Sequence, residues 1–95
     1  MYGLKYRRQA RNFLARLPSK QKATIVNKLH ELCENPDKCS LDIEPLRARD
    51  GYRLRVGQYR IIYTKQKDQL IIEIVKIRPR GDVYKGWTKH GIPDN

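Results

Sequence analysis

Residues 52–63 have the pattern of a two-stranded hairpin, and this pattern limits the fold more than any other part of the chain. Two alternating runs, Tyr-Arg-Leu-Arg-Val and Tyr-Arg-Ile-Ile-Tyr, flank a two-residue turn that begins with glycine. With Gly57 and Gln58 as the turn, Arg55 lies opposite Arg60, and hydrophobic residues occupy one face of the hairpin. The other face then has three arginines, which are Arg53, Arg55 and Arg60.

Helical and extended periodicities before the hairpin predict a short strand and two helices. Residues 2–6 are the predicted first strand, and residues 7–17 form a first amphipathic helix with apolar side chains at helical spacing. Pro18 interrupts this helix, and Ser19 is the predicted N-cap of a second helix that ends near Asn35. The outer faces of both helices are rich in Arg and Lys, which is typical of a helical layer packed on a sheet.

The segments on either side of the hairpin complete the predicted fold. Residues 37–50 include Pro45 and several charges, so we expect an irregular connection that lies over the edge of the core. Residues 70–77 are almost continuously apolar and predict a strand in the middle of the sheet, buried on both faces. The predicted fold class is therefore α+β, with two N-terminal helices packed on a mainly antiparallel sheet of about four strands.

The length of 95 residues is enough for one compact domain and too short for two. We therefore expect a single domain over residues 1–95. Within it, residues 1–36 form a strand plus a helical hairpin, and residues 51–78 form the antiparallel strands. Residues 79–95 are a C-terminal segment, with one or two helical turns expected between residues 82 and 90.

The charge of the chain limits the class of its partner. Twenty-one Lys and Arg residues against ten Asp and Glu residues give a formal charge of +11. A surface this basic favours phosphate groups, an acidic protein, or both. No long apolar run occurs and the N-terminus lacks the apolar core of a signal peptide, so we expect a cytoplasmic protein without membrane contact. Cys33 and Cys39 have no Cys or His at metal-ligand spacing and are expected to be free thiols.

Cationic side chains on the hairpin and on the strand after it predict a groove that binds anions. A like-charge pair such as Arg55 and Arg60 costs a few tenths to about 1 kcal/mol unless an anion lies between the side chains. Lys76 and Arg78 share one parity on the next strand and Arg80 lies just beyond, so six cations can surround one groove. Guanidinium groups match the geometry of phosphate. The alternative is a solvated sheet face on a basic protein.

Tyr84 follows Arg78 by six residues and has two interpretations. Its phenol would reach the groove as a stacking platform for a base or as a partner in proton transfer. It would otherwise anchor the C-terminal segment to the core, which is the role we expect first for Trp87.

The residues with which nucleases usually move protons are absent from the predicted groove. His30 lies within the second helix, and His90 lies near the end of the sequence. Glu73 is the one carboxylate with a strand position like those of the arginines, and its parity is opposite to that of Lys76 and Arg78. Such a groove would have no general base and no paired carboxylates for a metal ion, so its chemistry would depend on cations and positioning.

The hairpin and the strand after it resemble a known family. Residues 51–63, followed by an apolar strand and the run Arg-Pro-Arg-Gly-Asp-Val-Tyr at 78–84, are similar to the RelE/ParE toxin superfamily and specifically to its RelE branch. The resemblance implies two N-terminal helices against an antiparallel sheet with a microbial-ribonuclease-like groove. It also implies a toxin of a type II toxin–antitoxin pair. Such toxins cleave messenger RNA in the ribosomal A site by attack of a ribose 2′-hydroxyl on the adjacent phosphate, without a metal ion or cofactor.

The resemblance also assigns roles by position. Arg53 and Arg55 occupy the sites of two basic residues, often lysines, one of which is proposed to activate the hydroxyl. Arginine is a poorer proton acceptor than lysine, so charge stabilisation is the role we predict for both. Arg60 and Arg78 match arginines that stabilise the charged phosphate, and Tyr84 matches the tyrosine that stacks on the substrate. Further contacts to RNA are expected from four basic side chains, which are Arg47, Lys76, Arg80 and Lys85.

The implied partners are messenger RNA on the ribosome, with contacts to 16S ribosomal RNA and the A site, and a cognate antitoxin that covers the basic surface. Two alternatives stay open at this point. The ParE branch shares the fold and inhibits DNA gyrase without cleaving nucleic acid, although Arg78 together with Tyr84 favours the RelE branch. The other alternative is a simple RNA-binding module.

Overall fold

A computed structural model describes residues 1–37, 40–47 and 49–79. Two helices and five strands follow one another along these residues. Strand β1 is Gly3–Tyr6, helix α1 is Arg8–Arg16 and helix α2 is Ser19–Glu34. Four strands follow, which are β2 (Asp42–Pro45), β3 (Tyr52–Val56), β4 (Tyr59–Gln66) and β5 (Ile71–Pro79). Neither helix in the described part of the chain is long and apolar enough to cross a membrane.

The strands form one mixed sheet in the order β1-β5-β4-β3-β2. Strand β1 is parallel to β5, and the other three pairings are antiparallel. The predicted α+β class with a mainly antiparallel sheet is therefore confirmed, but the described residues form five strands of this sheet. The additional strand is β2, within the segment that we predicted to be irregular. Pro45 ends β2 at the edge of the sheet, where its missing N–H removes no ladder hydrogen bond.

The β3–β4 hairpin has the register that its hydrophobic pattern predicts. Arg55 lies opposite Arg60, and Arg53 lies opposite Ile62. Gly57 begins the turn with a φ of +57°, a conformation that favours glycine. The apolar face of the hairpin is buried in the core through four side chains, which are Leu54, Val56, Ile61 and Tyr63.

The two helices cover the apolar face of the sheet, as predicted. Helix α1 ends at Arg16, just before Pro18, and α2 begins immediately after that proline. The predicted N-cap is wrong by one residue, because Pro18 occupies that position and Ser19 is already helical. Proline suits this place because the first backbone N–H groups of a helix have no intrahelical partner in any case. The core-facing residues of α2 are Ile25, Leu29, Leu32 and Cys33, the last being a free thiol.

Strand β5 is interrupted by a β-bulge at Val75. Ile62 pairs with Lys76 whereas Tyr63 pairs with Ile74, so Val75 has no partner on β4. The prediction that β5 is buried on both faces is wrong. Its helix-facing side chains are fully buried, but Glu73 and Val75 on the other face are only half-buried, because both helices lie on one side of the sheet.

An ion pair connects the residues after α2 to strand β4. The Lys65 ammonium donates a hydrogen bond of 2.7 Å to the Asp37 carboxylate and lies 5.5 Å from the centre of the Tyr52 ring. This hydrogen bond holds the pKa of Asp37 below its usual value, and it raises the pKa of Lys65.

Candidate functional site

Three arginines form a row across the sheet face that lies opposite the helices. Arg55 pairs with Arg60 and Arg60 pairs with Arg78, so the three positions are neighbours in register on β3, β4 and β5. Adjacent strands are about 4.8 Å apart, which places the three Cα atoms within about 10 Å of one another. We call these residues the arginine row and this side of the sheet the polar face. The period of two in the hairpin predicted that Arg55 and Arg60 share a face, and Arg78 was expected to converge on the same groove.

A second cross-strand row lies one step further along the strands. It consists of Arg53, Ile62 and Lys76, again in register on β3, β4 and β5. Lys76 therefore joins the arginines on the polar face, as predicted. The side chain of Arg53 is only 12% exposed, and its Nη1 atom is buried without a hydrogen-bond partner among the described residues.

Two carboxylates border both rows, and the sequence interpretation missed them. Glu44 Oε1 lies 3.0 Å from Nη2 of Arg53, while Asp42 lies 3.8 Å from Arg53 and 3.7 Å from Nη1 of Arg55. We call Asp42 and Glu44 the acidic edge. The prediction of a groove without strand carboxylates is wrong, because β2 places both side chains on the polar face. The alternation of Leu41 and Ile43 with these acids is the sequence signal that could have found this strand.

Glu73 also belongs to the polar face, which corrects its predicted parity. The bulge at Val75 adds one residue between Glu73 and Lys76, so side chains that differ by three positions share a face. Glu73 accepts hydrogen bonds from Arg7 at 3.1 Å and from Gln66 at 3.2 Å, and its side chain is 13% exposed. A negative charge therefore lies beyond the second row and ends the run of cations along β5.

An open cavity of about 430 Å³ lies beside the second row, between β5 and the start of α1. We call it the side cavity. Its floor is aliphatic, and its rim has four cations from three parts of the chain. The lining residues are Arg7, Arg8, Gln9, Arg49, Ile62, Val75 and Lys76. Arg47, which we predicted to contact RNA, is exposed. Among the described residues it is Arg49, and not Arg47, that lines this cavity.

Gln9 fixes the start of α1 beside strand β5. Its side-chain amide donates to the Ile77 carbonyl at 3.1 Å and accepts from the Ile77 N–H at 2.9 Å. Strand β1 pairs with β5 only up to Ile74, so Gln9 takes over the backbone groups that β1 leaves open. Arg8 is therefore held next to the polar face.

Several predicted site residues lie outside the described residues, namely Arg80, Tyr84 and Lys85, as do Cys39, Trp87 and His90. Their predicted roles stay predictions. His30 is exposed on α2, the helix that packs on the opposite side of the sheet from the arginine row. Within residues 1–37, 40–47 and 49–79, no three His, Cys, Asp or Glu side chains come together as ligands for a metal ion.

This chain is similar to known proteins both in sequence and in fold. A family model described as ParE toxin of type II toxin–antitoxin system, parDE, matches residues 4–84. A putative RelE-like toxin protein from Escherichia coli is 29% identical over 85 residues, which is 87% of this chain and 90% of the relative.

Solved structures of RelE proteins are also similar. In the archaeal RelE–RelB complex from Pyrococcus horikoshii OT3, the matched chain is 30% identical with a TM-score of 0.73, and the alignment covers 84% of this chain and 96% of that one. The isolated E. coli RelE toxin is 22% identical with a TM-score of 0.71, and the alignment covers 97% and 100% of the two chains. The latter likeness supports the fold alone.

Proposed function

Since this chain belongs to the RelE/ParE superfamily of type II toxin–antitoxin toxins, and within it to the RelE branch, we propose that it is a ribosome-dependent endoribonuclease. In this proposal it cuts messenger RNA in the A site and so inhibits translation. The observation that carries the proposal is the arginine row, in which Arg55, Arg60 and Arg78 are neighbours on the polar face.

The arginine row suits a phosphate whose negative charge grows during the reaction. When a ribose 2′-hydroxyl attacks the adjacent phosphorus, the phosphate oxygens gain charge before the 5′-oxygen leaves. Preorganised guanidinium groups stabilise that charge more strongly than the charge of the ground state, which is the requirement for catalysis. Each such donor typically contributes a factor of about 10² to 10³ in rate. The proposal needs no metal ion, because the arginines supply the positive charge.

Glu44 is the proposed proton acceptor. Its carboxylate lies beside the second row, 3.0 Å from Arg53, and its side chain is 70% exposed and open to a substrate. In the proposed step the 2′-hydroxyl proton moves to Glu44 and the 2′-oxygen bonds to phosphorus. The P–O5′ bond then breaks, and the leaving oxygen takes a proton from water or a nearby acid. The products are a 2′,3′-cyclic phosphate and a 5′-hydroxyl, and Tyr84 keeps its expected role of stacking on the substrate.

The proposed protein partner is a cognate antitoxin with an acidic surface. The chain has a formal charge of +11, and cations dominate the polar face in spite of the acidic edge. An acidic segment that covers this face would neutralise the charge and block access of RNA to the arginine row. The similar chain from P. horikoshii was solved in a RelE–RelB complex, which supports an antitoxin partner.

A second candidate function is the inhibition of DNA gyrase without any cleavage. The description of the matching family model, which names the ParE toxin, favours it. The nearness of three arginines on neighbouring strands supports the nuclease proposal over this one, because a purely protein-directed inhibitor does not need a phosphate site.

The test is primer extension on a translating message with purified protein. We expect new 5′ ends at the A-site codon with the unmodified chain and none with Arg60→Ala, while the thermal unfolding of the variant stays cooperative. Arg16→Ala is the matched control, because Arg16 is an exposed arginine in the last turn of α1. If the message stays intact while the protein inhibits gyrase in a supercoiling assay, the gyrase function replaces the nuclease function.

A further inference from the structure

The side cavity is a concave feature beside the second row, and none of the residues of the arginine row line it. It measures about 430 Å³, and four cations surround it: Arg7, Arg8, Arg49 and Lys76. These cations come from the start of α1, the loop before β3, and β5. The tertiary fold alone brings them together, since they are up to 69 positions apart, from residue 7 to residue 76.

The side cavity continues the arginine row along the strands. Ile62 is two residues from Arg60 on β4, and Lys76 is two residues from Arg78 on β5. Two residues of an extended strand span about 7 Å, which is of the order of one nucleotide step along an extended single strand. A strand of RNA with its reacting phosphate on the arginine row can therefore place its next phosphate, and the nucleotide attached to it, at the side cavity.

The chemistry of the lining matches the parts of a nucleotide. Ile62 and Val75 give an aliphatic floor against which a base or ribose can pack, and the cationic rim is suited to the phosphate. Among the described residues, neither Arg8 nor Arg49 has a carboxylate partner, and both are exposed. Arg53 differs from them, because Glu44 lies 3.0 Å from its guanidinium and offsets its charge.

We propose that the side cavity is a binding subsite for the nucleotide next to the cleaved dinucleotide of single-stranded RNA, with Arg8 and Arg49 as ligands of the phosphate that joins this nucleotide to the dinucleotide. This inference rests on the proposed nuclease function and adds a substrate-binding site to it. The Arg7–Glu73 ion pair closes the far side of the subsite, since Arg7 is already paired with a carboxylate and is less available to a further phosphate. The polar face therefore binds one flanking nucleotide in this direction and no second one.

RNA fits the side cavity better than an acidic peptide does. The cavity is continuous with the arginine row through neighbouring strand positions, and its length along β5 is limited by the negative charge of Glu73. An extended acidic peptide would place carboxylates close to Glu73 if it followed the same path. A single nucleotide does not extend as far as Glu73.

The experiment measures the binding of short RNA oligonucleotides to the full chain by calorimetry. A dinucleotide with a 2′-O-methyl group at the cleavage position is compared with the same dinucleotide extended by one nucleotide at its 5′ or its 3′ end. For the unmodified chain, one of the two extensions should raise the affinity about tenfold. The double variant Arg8→Gln/Arg49→Gln should bind the dinucleotide normally and lose this gain. Its salt dependence for the extended RNA should fall by about 0.7 in log–log slope for each lost phosphate contact.

The control is Arg16→Gln/Lys22→Gln, which removes the same charge from exposed positions that do not line the side cavity. The gain must persist in this control, because its loss would mean that bulk charge, and not the subsite, binds the RNA. The inference alone fails if the protein cleaves messages on the ribosome but neither extension raises affinity, or if Arg8→Gln/Arg49→Gln keeps the gain. It also fails if Arg8→Gln/Arg49→Gln weakens the binding of a synthetic glutamate-rich peptide but leaves the binding of the extended RNA unchanged. Absence of both cleavage and oligonucleotide binding in the unmodified chain would remove the proposed function itself.

Discussion

Arg55 and Arg60 lie directly opposite each other on the β3–β4 hairpin, with the Asp42 carboxylate 3.7 Å from Arg55 on the side away from Arg60. Two like charges in this register repel each other, and an exposed carboxylate offsets only part of that repulsion. A negatively charged ligand between the two guanidinium groups converts this repulsion into binding.

Arg55→Thr should separate function from stability. Loss of the repulsion and loss of the exposed contact to Asp42 oppose each other, so we expect the free energy of unfolding to change by less than about 1 kcal/mol. Cleavage of messenger RNA should fall by a factor of about 10² or more, because one donor to the phosphate is missing. Urea denaturation and primer extension measure the two effects. A variant with normal cleavage would remove Arg55 from the site.

Glu44→Gln should lower the cleavage rate by a factor of about 10² to 10⁴, the usual contribution of a general base. Binding of RNA should stay the same or tighten because a negative charge is lost. Asp42→Asn is the matched control, since Asp42 is on the same strand but contacts the guanidinium groups only at 3.7 Å and beyond. We expect less than about a tenfold effect from it. Glu44 would not be the proton acceptor if both variants behaved alike.

Gly51→Ala should destabilise the fold more than Gly57→Ala. Gly51 has a φ of +127°, and a Cβ atom there would lie 3.1 Å from the Tyr63 carbonyl oxygen and 3.1 Å from a methyl group of Leu46. Strain and the clash together should cost roughly 3 kcal/mol. Gly57 also has a positive φ but faces open space, so about 1 kcal/mol is expected there. Denaturant unfolding of both variants measures this, and equal losses would show that the close approach at Gly51 is unimportant.

Asp37→Asn should change how stability depends on pH. The hydrogen bond from Lys65 keeps the pKa of Asp37 below its usual value, so the ionised carboxylate stabilises the fold at neutral pH. This stabilisation is complete above the pKa of the unfolded chain and is lost as pH falls through the lower pKa of the folded state. The melting temperature of Asp37→Asn should therefore be lower at neutral pH and equal at strongly acidic pH. A constant difference at every pH would contradict the role of this ionisation.

The strands and helices of the described residues were largely predictable because their patterns are local. The 3.6-residue spacing of the helices, the break at Pro18 and the alternation around Gly57 depend on neighbours in sequence. Strand β2 was missed because four residues that end in Pro45 form too short a pattern to identify alone. It is stable only because the edge of β3 provides its hydrogen-bond partners.

The sequence by itself determined that three arginines share one face of the hairpin, since the turn and the period of two leave a single register that buries the apolar side chains. The tertiary structure decided what surrounds them. It placed Glu44 beside Arg53, it moved Glu73 to the polar face through the bulge at Val75, and it held Arg8 near Lys76 through Gln9. These relationships depend on strand pairing and helix docking between distant segments, and no local periodicity encodes them.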